Sequence, residues 1–378
     1  MDYELLKVIW WVLIGVLLIG FSVTDGFDMG VGSLLKVIGG TDSERRIMIN
    51  SIAPHWDGNQ VWFITAGGAL FAAWPVVYAT SFSGFYFAMM LVLAALFFRP
   101  IGFDYRSKLE NTKWRTSWDW GITFGSAVPP IIFGVAFGNL LQGVPFEFDQ
   151  YLRVTYTGSF FALLNPFAIV CGLVSLLMLM TQGGAWLQMK TDDALLVKAS
   201  RITAITGALA AVLFILAGVW LAYGIDGYVI TSVIDGNKVM TPLMKTAEVQ
   251  PGAWLANYEK VPALMLAPLI GIAGMLFAAL ASVMKKGALA FLSSSLGIAG
   301  IIVTAGGSMF PFLMPSSSYP SMSLTMWDAT SSEKTMMIMF VVACIFVPIV
   351  LAYTLWNYFV MYGRLTKKHI EENNHSLY

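Results

Sequence analysis

The chain has 378 residues, of which 57% are hydrophobic and only 12% are charged, and its mean hydropathy is +0.72. This composition is typical of a polytopic membrane protein and excludes an ordinary soluble domain. Because the 22 basic and 22 acidic residues cancel, bulk charge gives no reason to expect a nucleic-acid partner.

The first apolar segment is expected to be a retained membrane helix. It follows MDYELLK, which lacks the basic region and the small-residue cleavage site of a signal peptide. Residues 8–24 are uncharged and are followed by Asp25 and Asp28. We therefore predict that this helix ends with two carboxylates one turn apart on one face, where they could pair or relay a proton.

The stretch 50–75 brings ionisable groups directly onto an uncharged segment of membrane length. No charged side chain occurs between Asp57 and Arg99, so a spanning helix must begin close to His55 and Asp57. Ionisable groups in this setting are costly and indicate function by default. The alternative is that Asp57 caps the helix, with Gln60 as its capping-box partner. The uncharged run is long enough for two spans, and we place the turn between them at 78–84.

The remaining apolar segments predict six more spans. Prolines 129 and 130 interrupt the first of these segments, and Asn165–Pro166 breaks the second. The chain is therefore predicted to be all-α, a polytopic integral membrane protein with about nine transmembrane helices in bundles and a single domain over 1–378. The six segments are 120–146, 154–189, 202–225, 261–284, 287–311 and 335–363.

The distribution of basic residues predicts the orientation. Most of the 22 lysines and arginines fall in connections on one side, which should be cytoplasmic, so the N-terminus lies outside and the C-terminus is cytoplasmic. The longest outer loop, 226–260, mixes both charges and is expected to be a solvated cap. This orientation puts the following ionisable groups at the cytoplasmic ends of helices: Asp25, Asp28, His55, Asp57 and Asp104.

Histidines and cysteines are too few for a set of haem ligands. His369 and His375 lie in the charged tail, so only His55 could serve a site in the membrane. Several haems would need several His, Met or Cys ligands at membrane depth, and methionines in apolar helices more often serve packing. Cys171 and Cys344 lie in apolar runs as small hydrophobic residues. The chain is therefore not expected to bind haem alone.

Five motifs occur in order along the chain: TDGFDMG at 24–30, HWDGNQVW at 55–62, GGALFAAWP at 67–75, FRPIGFDYRSK at 98–108 and MWDATSS at 326–332. Together they resemble subunit II of the bacterial cytochrome bd ubiquinol oxidases. The resemblance implies a haem-poor subunit of a quinol-oxidising, oxygen-reducing terminal oxidase in the bacterial inner membrane. It also implies haems b and d on a partner, subunit I, and small single-helix accessory subunits.

The resemblance also implies proton routes along the subunit interface. These routes would pass through Asp57 and Trp62, and through Asp104, Lys108 and the terminal Tyr378. From the residues alone, Asp104 and Lys108 are better explained as a positive-inside anchor than as a proton-uptake cluster. His55, Asp25 and Asp28 are further candidates for the pathway.

Two questions stay open at this level. Trp327, Asp328 and Thr330 could form a proton exit or a subunit contact, or Asp328 could cap the last helix. A secondary transporter or proton-conducting channel would also use carboxylates and a histidine at helix ends, and a purely structural assembly role is a third reading. The many aromatic residues would suit a bound lipid or ubiquinone, but the sequence gives it no position.

Overall fold

The computed structural model describes residues 2–366 and residue 368. The helices in this part of the chain are α1 (Tyr3–Ile38), α2 (Asp42–Asn50), α3 (Trp56–Ala73), α4 (Pro75–Gly84), α5 (Tyr86–Arg106), α6 (Thr112–Gln142), α7 (Pro166–Lys190), α8 (Asp193–Gly224), α9 (Ala256–Lys260), α10 (Leu266–Val283), α11 (Gly287–Met309) and α12 (Glu333–Val360). Eight of them are individually long and apolar enough to cross a membrane, and α3 and α4 form a ninth candidate as a pair bent by 118°. The predicted all-α fold with about nine spans is therefore confirmed.

Three short antiparallel hairpins lie in the connections at one end of the helices, which we call the hairpin end. Their strands are β1 (Phe146–Phe148) with β2 (Val154–Tyr156), β3 (Gly227–Ile230) with β4 (Ala247–Gln250), and β5 (Phe312–Met314) with β6 (Leu324–Thr325). The opposite end carries α2 and the connections α5–α6, α7–α8 and α10–α11, and we call it the α2 end.

The spanning helices form two bundles that share a contact through α7. Helices α1, α3, α5 and α6 pack together, and α7 packs on α1 and α6 while joining α8, α10 and α11. The contact between α1 and α7 requires glycine, because a Cβ on Gly30 would lie 2.0 Å from the carbonyl oxygen of Leu179. Helix α12 lies apart and packs weakly on α1 and α3, with only Met336 and Thr354 buried.

The prediction that the first helix ends at Asp25 and Asp28 is wrong. Helix α1 continues to Ile38, about three turns beyond Asp28. Asp25 and Asp28 lie within α1 rather than at its end, and both carboxylates are buried instead of solvated. The helix can continue because Asp25 and Asp28 find polar partners on neighbouring helices, and nothing in the local sequence identifies those partners.

Two predicted helix boundaries are also wrong. Residues 78–84 form most of α4 instead of a turn, and the chain bends at Trp74, because Pro75 lacks the N–H that would continue α3. The first third of the predicted helix 154–189 contains strand β2 and a 3₁₀ turn, Phe161–Leu163, instead of helix. Helix α7 begins only at Pro166, where the Asn165 side chain accepts a hydrogen bond from the N–H of Ala168.

Pro129 and Pro130 lie inside α6, which continues through them from Thr112 to Gln142. The predicted outer loop 226–260 contains ordered structure, since β3 and β4 pair within it and α9 closes it. Helices α6 and α8 begin eight and nine residues before their predicted segments, and α10, α11 and α12 agree with theirs to within five residues.

Candidate functional site

A buried ion pair joins α1 to α5. The guanidinium of Arg99 donates two hydrogen bonds to the Asp25 carboxylate, with Nη2–Oδ1 at 2.5 Å and Nη1–Oδ2 at 3.2 Å. Neither side chain is more than 1% exposed. This two-pronged geometry fits a guanidinium to a carboxylate, and it offsets part of the cost of burying both charges. In the sequence, Arg99 only marks the end of the uncharged run that follows Asp57, so its role in the interior was missed.

Asp28 lies one turn further along α1 and leads to a different set of partners. Its Oδ2 accepts a hydrogen bond of 2.7 Å from the amide of Asn59 on α3, and Asn59 in turn accepts one from the Tyr358 hydroxyl on α12. Asp28 Oδ1 is buried and has no hydrogen-bond partner among the described residues. Because burial without a hydrogen-bond donor disfavours a charged carboxylate oxygen, a proton here would remove an uncompensated buried charge, and Asp28 is a candidate for proton uptake. Asn59 lies within the motif HWDGNQVW but was not singled out, and Tyr358 carried no sequence signal.

His55 closes this buried region at the start of α3. Its ring stacks on Tyr358 with ring centres 4.8 Å apart, and it meets the edge of Trp186. Its Nδ1 lies 3.4 Å from the amide nitrogen of Asn357. Burial, with a smaller contribution from the Lys190 charge, lowers the pKa of His55 to about 4. The imidazole is therefore neutral at physiological pH and packs as an aromatic ring.

The other candidates at this end of the molecule are exposed. Asp57 lies in the first turn of α3 and Asp104 in the last turn of α5, with Lys108 just beyond it. None of the three side chains forms a hydrogen bond or ion pair with another described residue. The capping alternative for Asp57 is wrong, because His55 is the N-cap residue of α3 and its first turn has no side-chain cap. A capping box does occur, but at α2, between Thr41 and Glu44.

Trp62 is half-buried and packs across α1. A Cβ on Gly20 would lie 2.6 Å from its ring, so the absence of a side chain at Gly20 makes room for the indole. Tyr378, His369 and His375 lie outside the described residues. The structure thus brings Asp25, Asp28 and His55 together with Arg99, Asn59 and Tyr358, and it leaves Asp57, Asp104 and Lys108 at the surface.

A second charged cluster joins α2, α5 and α6. Asp119 on α6 is fully buried, and it forms ion pairs with Arg106 at 2.6 Å and with Arg45 at 2.9 Å. Asp42 bridges Arg106 and Arg115, each at 2.7 Å. Burial favours the neutral form of Asp42, but the two arginines outweigh it and hold the pKa of that carboxyl below its usual value. Asp119 was not among the sequence candidates.

At the hairpin end, Asp328 forms a buried ion pair with Lys245 at 2.8 Å, and both side chains are 0% exposed. Asp328 also accepts hydrogen bonds from the backbone N–H and the hydroxyl of Thr325. Burial lowers the pKa of Lys245, and the Asp328 charge opposes that shift. The N-cap residue of α12 is Ser332, so the prediction that Asp328 caps this helix is wrong.

The other residues of this motif also tie segments together. The ammonium of Lys7 on α1 donates to the carbonyl of Trp327 at 3.0 Å, and the Tyr3 hydroxyl lies 2.9 Å from the Thr330 hydroxyl. These contacts fasten the start of α1 to the connection that precedes α12.

Comparison with known proteins gives the family. Residues 6–361 match the family described as cytochrome bd terminal oxidase subunit II. The chain is 59% identical over 377 residues to cytochrome bd-I ubiquinol oxidase subunit 2 of Escherichia coli (strain K12), with all of both chains covered. It is 31% identical over 361 residues to cytochrome bd ubiquinol oxidase subunit 2 of Bacillus subtilis (strain 168), covering 95% of this chain and 97% of that one.

A solved structure shares the fold. A chain in the structure of bd oxidase from Geobacillus thermodenitrificans superposes with a TM-score of 0.66 at 14% identity, covering 95% of this chain and 99% of that chain. The resemblance given by the five motifs is therefore confirmed. The chain belongs to the cytochrome bd terminal oxidase subunit II family and is a multi-pass subunit of an oxidoreductase complex in the bacterial inner membrane.

Proposed function

We propose that this chain is the haem-poor subunit II of a ubiquinol-oxidising, oxygen-reducing oxidase, and that it lines proton uptake while supporting the haem-carrying subunit. Family membership establishes a haem-containing complex with a partner subunit I. The proposal adds that the partner ligates haems b and d, that ubiquinol is the electron donor, and that residues 1–378 act as one domain. The names of the E. coli and B. subtilis relatives support the choice of ubiquinol.

The surroundings of His55 support placing the haems on the partner. A haem ligand needs a free imidazole nitrogen and space for the macrocycle beside it. The His55 ring instead stacks on Tyr358, meets Trp186 at its edge and has Asn357 next to Nδ1. His55 therefore does not fit as an axial haem ligand.

The observation that carries the proton-uptake proposal is the unpaired, buried oxygen of Asp28. Arg99 compensates the charge of Asp25, and Asp28 shares a hydrogen-bond chain with Asn59 and Tyr358. In this proposal Asp28 takes the proton on Oδ1, while Arg99 keeps Asp25 charged. The Tyr358 hydroxyl donates to Asn59, which orients the Asn59 amide towards Asp28.

The exposed groups at the α2 end would collect protons from solution. Asp57 is two residues before Asn59 on α3, so about 3 Å of helix rise separates their backbones. Asp104 and Lys108 form the second exposed group, and the proposal adds Tyr378 to them. Water would bridge the exposed and buried groups alongside Trp62 and His55. The predicted orientation makes this end cytoplasmic, so proton uptake here would contribute to the proton motive force.

The proposal is tested by quinol-driven oxygen uptake of the purified complex, expressed per haem. Asp28→Asn can still accept the hydrogen bond from Asn59 but cannot take up a proton, so turnover should fall at least about tenfold with normal haem content. Asp235→Asn, an exposed site at the hairpin end, is the matched control and should retain activity. Normal turnover of Asp28→Asn in an assembled complex would overturn the proton-uptake proposal.

A further inference from the structure

A groove at the hairpin end is independent of the charged sites described above. It has a volume of about 500 Å³ and lies between α1, α9, the 3₁₀ turn Pro262–Met265 and the end of α11. Its walls are mainly apolar and include five aromatic side chains, which is typical of a site that receives an apolar group. The aromatic lining residues are Trp11, Tyr228, Trp254, Phe310 and Phe312.

Hydrogen bonds hold the walls of this groove in place. The amide of Asn257 donates to the carbonyls of Gly307 at 2.9 Å and Phe310 at 2.6 Å. The indole N–H of Trp254 donates to the carbonyl of Leu141 at 2.9 Å, and this side chain is only 2% exposed. The groove is therefore preformed, so a ligand would not have to order it.

The rim of the groove carries a cation. Lys260 lines the groove and is exposed, and its ammonium forms no hydrogen bond or ion pair within the described part of the chain. Glu259 precedes it and is also exposed, but the groove lining includes Lys260 and not Glu259. A phosphate group would complement this lysine at the mouth of the groove.

An apolar track leads away from the rim through the 3₁₀ turn and onto α10. Val261, Met265 and Leu269 follow one another along this segment and are between 55% and 60% exposed, so its exposed side is apolar. Because α10 with its preceding turn is long and apolar enough to span a membrane, this side faces hydrocarbon or another apolar chain. A cation, an aromatic groove and an apolar track therefore occur in that order.

We propose that this groove binds one phospholipid, with its phosphate on Lys260, one acyl chain in the aromatic groove and the other along Val261, Met265 and Leu269. A free phosphate would use the lysine but not the groove. A quinone would use the groove but has no need of the cation. A phospholipid, with one phosphate and two acyl chains, uses the cation, the aromatic groove and the apolar track together.

Native mass spectrometry of the complete oxidase complex in mild detergent tests this site. Lys260→Ala should reduce the occupancy of one retained phospholipid about tenfold, the effect of losing one charge-assisted hydrogen bond. Lys260→Arg should restore it, and Ala256→Trp should exclude the lipid by filling the groove. The control is Lys238→Ala, an exposed lysine at the same end that is paired with Asp235. Haem content verifies assembly of each variant.

Three results would overturn the proposal. Wild-type lipid retention in both Lys260→Ala and Ala256→Trp would show that the groove holds no phospholipid. Loss of a ubiquinone mass instead of a phospholipid mass in Ala256→Trp would assign the groove to a quinone. If inorganic phosphate bound at Lys260 and the amount of retained lipid did not change, Lys260 would be a site for a free anion and not for a phospholipid. None of these results depends on the proton-uptake proposal, because no measured quantity is turnover.

Discussion

Arg99 on α5 holds Asp25 on α1 through two hydrogen bonds in the buried interior of the bundle. Replacing Arg99 with Gln would leave an uncompensated carboxylate there, with Asp28 one turn away. Breaking a buried ion pair by removing one partner typically costs about 3–5 kcal/mol. We expect Arg99→Gln to lower the yield of assembled, haem-containing complex and its melting temperature.

The double variant Asp25→Asn with Arg99→Gln is the decisive comparison. It removes both charges, so assembly should recover relative to Arg99→Gln alone, as a coupled pair requires. Arg153→Gln, which breaks an exposed pair with Asp149, should assemble like the wild type. If the double variant were no more stable than the single one, the pair would not be the reason for the loss.

Tyr358 attaches the C-terminal end of α12, a helix that otherwise packs weakly, to α3. Its hydroxyl donates to Asn59, and α12 has only two buried side chains. Tyr358→Phe keeps the stacking on His55 but leaves the Asn59 oxygen without its donor, which should cost about 1–3 kcal/mol. The melting temperature of the complex should fall, and turnover should fall with it if Asn59 then turns away from Asp28.

Tyr353→Phe provides the control, because that tyrosine lies on α12 but is 51% exposed. Its melting temperature and turnover should match the wild type. An unchanged melting temperature for Tyr358→Phe would show that the hydrogen bond from this hydroxyl to Asn59 does not stabilise the complex.

The protonation of His55 should make the complex less stable in mild acid. Its pKa is about 4 in the folded protein, below the value of about 6.5 expected when unfolded. The neutral form is the one that packs, so its contribution is complete above pH 6.5 and is lost progressively as pH falls towards 4. The melting temperature of wild type should therefore fall more over this window than that of His55→Phe, whose ring cannot titrate. Parallel curves for the two proteins would contradict this prediction.

The apolar patterns of the sequence predicted the number of spans well but not the tertiary partners of polar residues. Length and hydropathy identify a segment that must be helical in lipid, so α10–α12 agree closely with their predicted segments. Asp25 and Asp28 suggested a helix end, because their distant partners Arg99 and Asn59 are not visible in a local window. Residues 154–163 suggested a helix for a related reason. Their apolar side chains pack in the hydrophobic core near the hairpin end, as part of strand β2 and the segment that follows it.

The site was predicted in part. Ionisable residues near apolar segments are detectable from sequence, and Asp25, Asp28 and His55 do meet in one buried region. Asn59 and Tyr358 are neutral and could not be distinguished from ordinary membrane-helix residues. Arg99 only ends an uncharged run in the sequence, and the packing of α5 against α6 together with the ion pair to Asp25 on α1 reveals that it is buried.

The orientation prediction is tested by reporter fusions. The excess of lysine and arginine in the connections of the α2 end predicts that this end is cytoplasmic. Alkaline phosphatase fused after Lys286 should be inactive, whereas a fusion near Gly236 at the hairpin end should be active. A β-galactosidase series at the same positions supplies the inverse control. Activity after Lys286 with none near Gly236 would reverse the orientation and put the exposed carboxylates outside.

Asp57 separates a role in proton uptake from a role in helix stability. The carboxylate is exposed in the first turn of α3. Its interaction with the helix dipole can stabilise the helix by less than about 1 kcal/mol. Because it makes no capping hydrogen bond, Asp57→Asn and Asp57→Ala should both assemble with normal haem content. If Asp57 delivers protons towards Asp28, both variants should slow quinol-driven oxygen uptake, and the loss should increase as pH rises and protons become scarce. Gln60→Ala, in the same first turns of the helix, should keep wild-type turnover at every pH. Wild-type turnover of Asp57→Asn across that range would remove Asp57 from the pathway and leave Asp104 and Lys108 as the proton-collecting groups, to be tested in the same assay with Asp104→Asn.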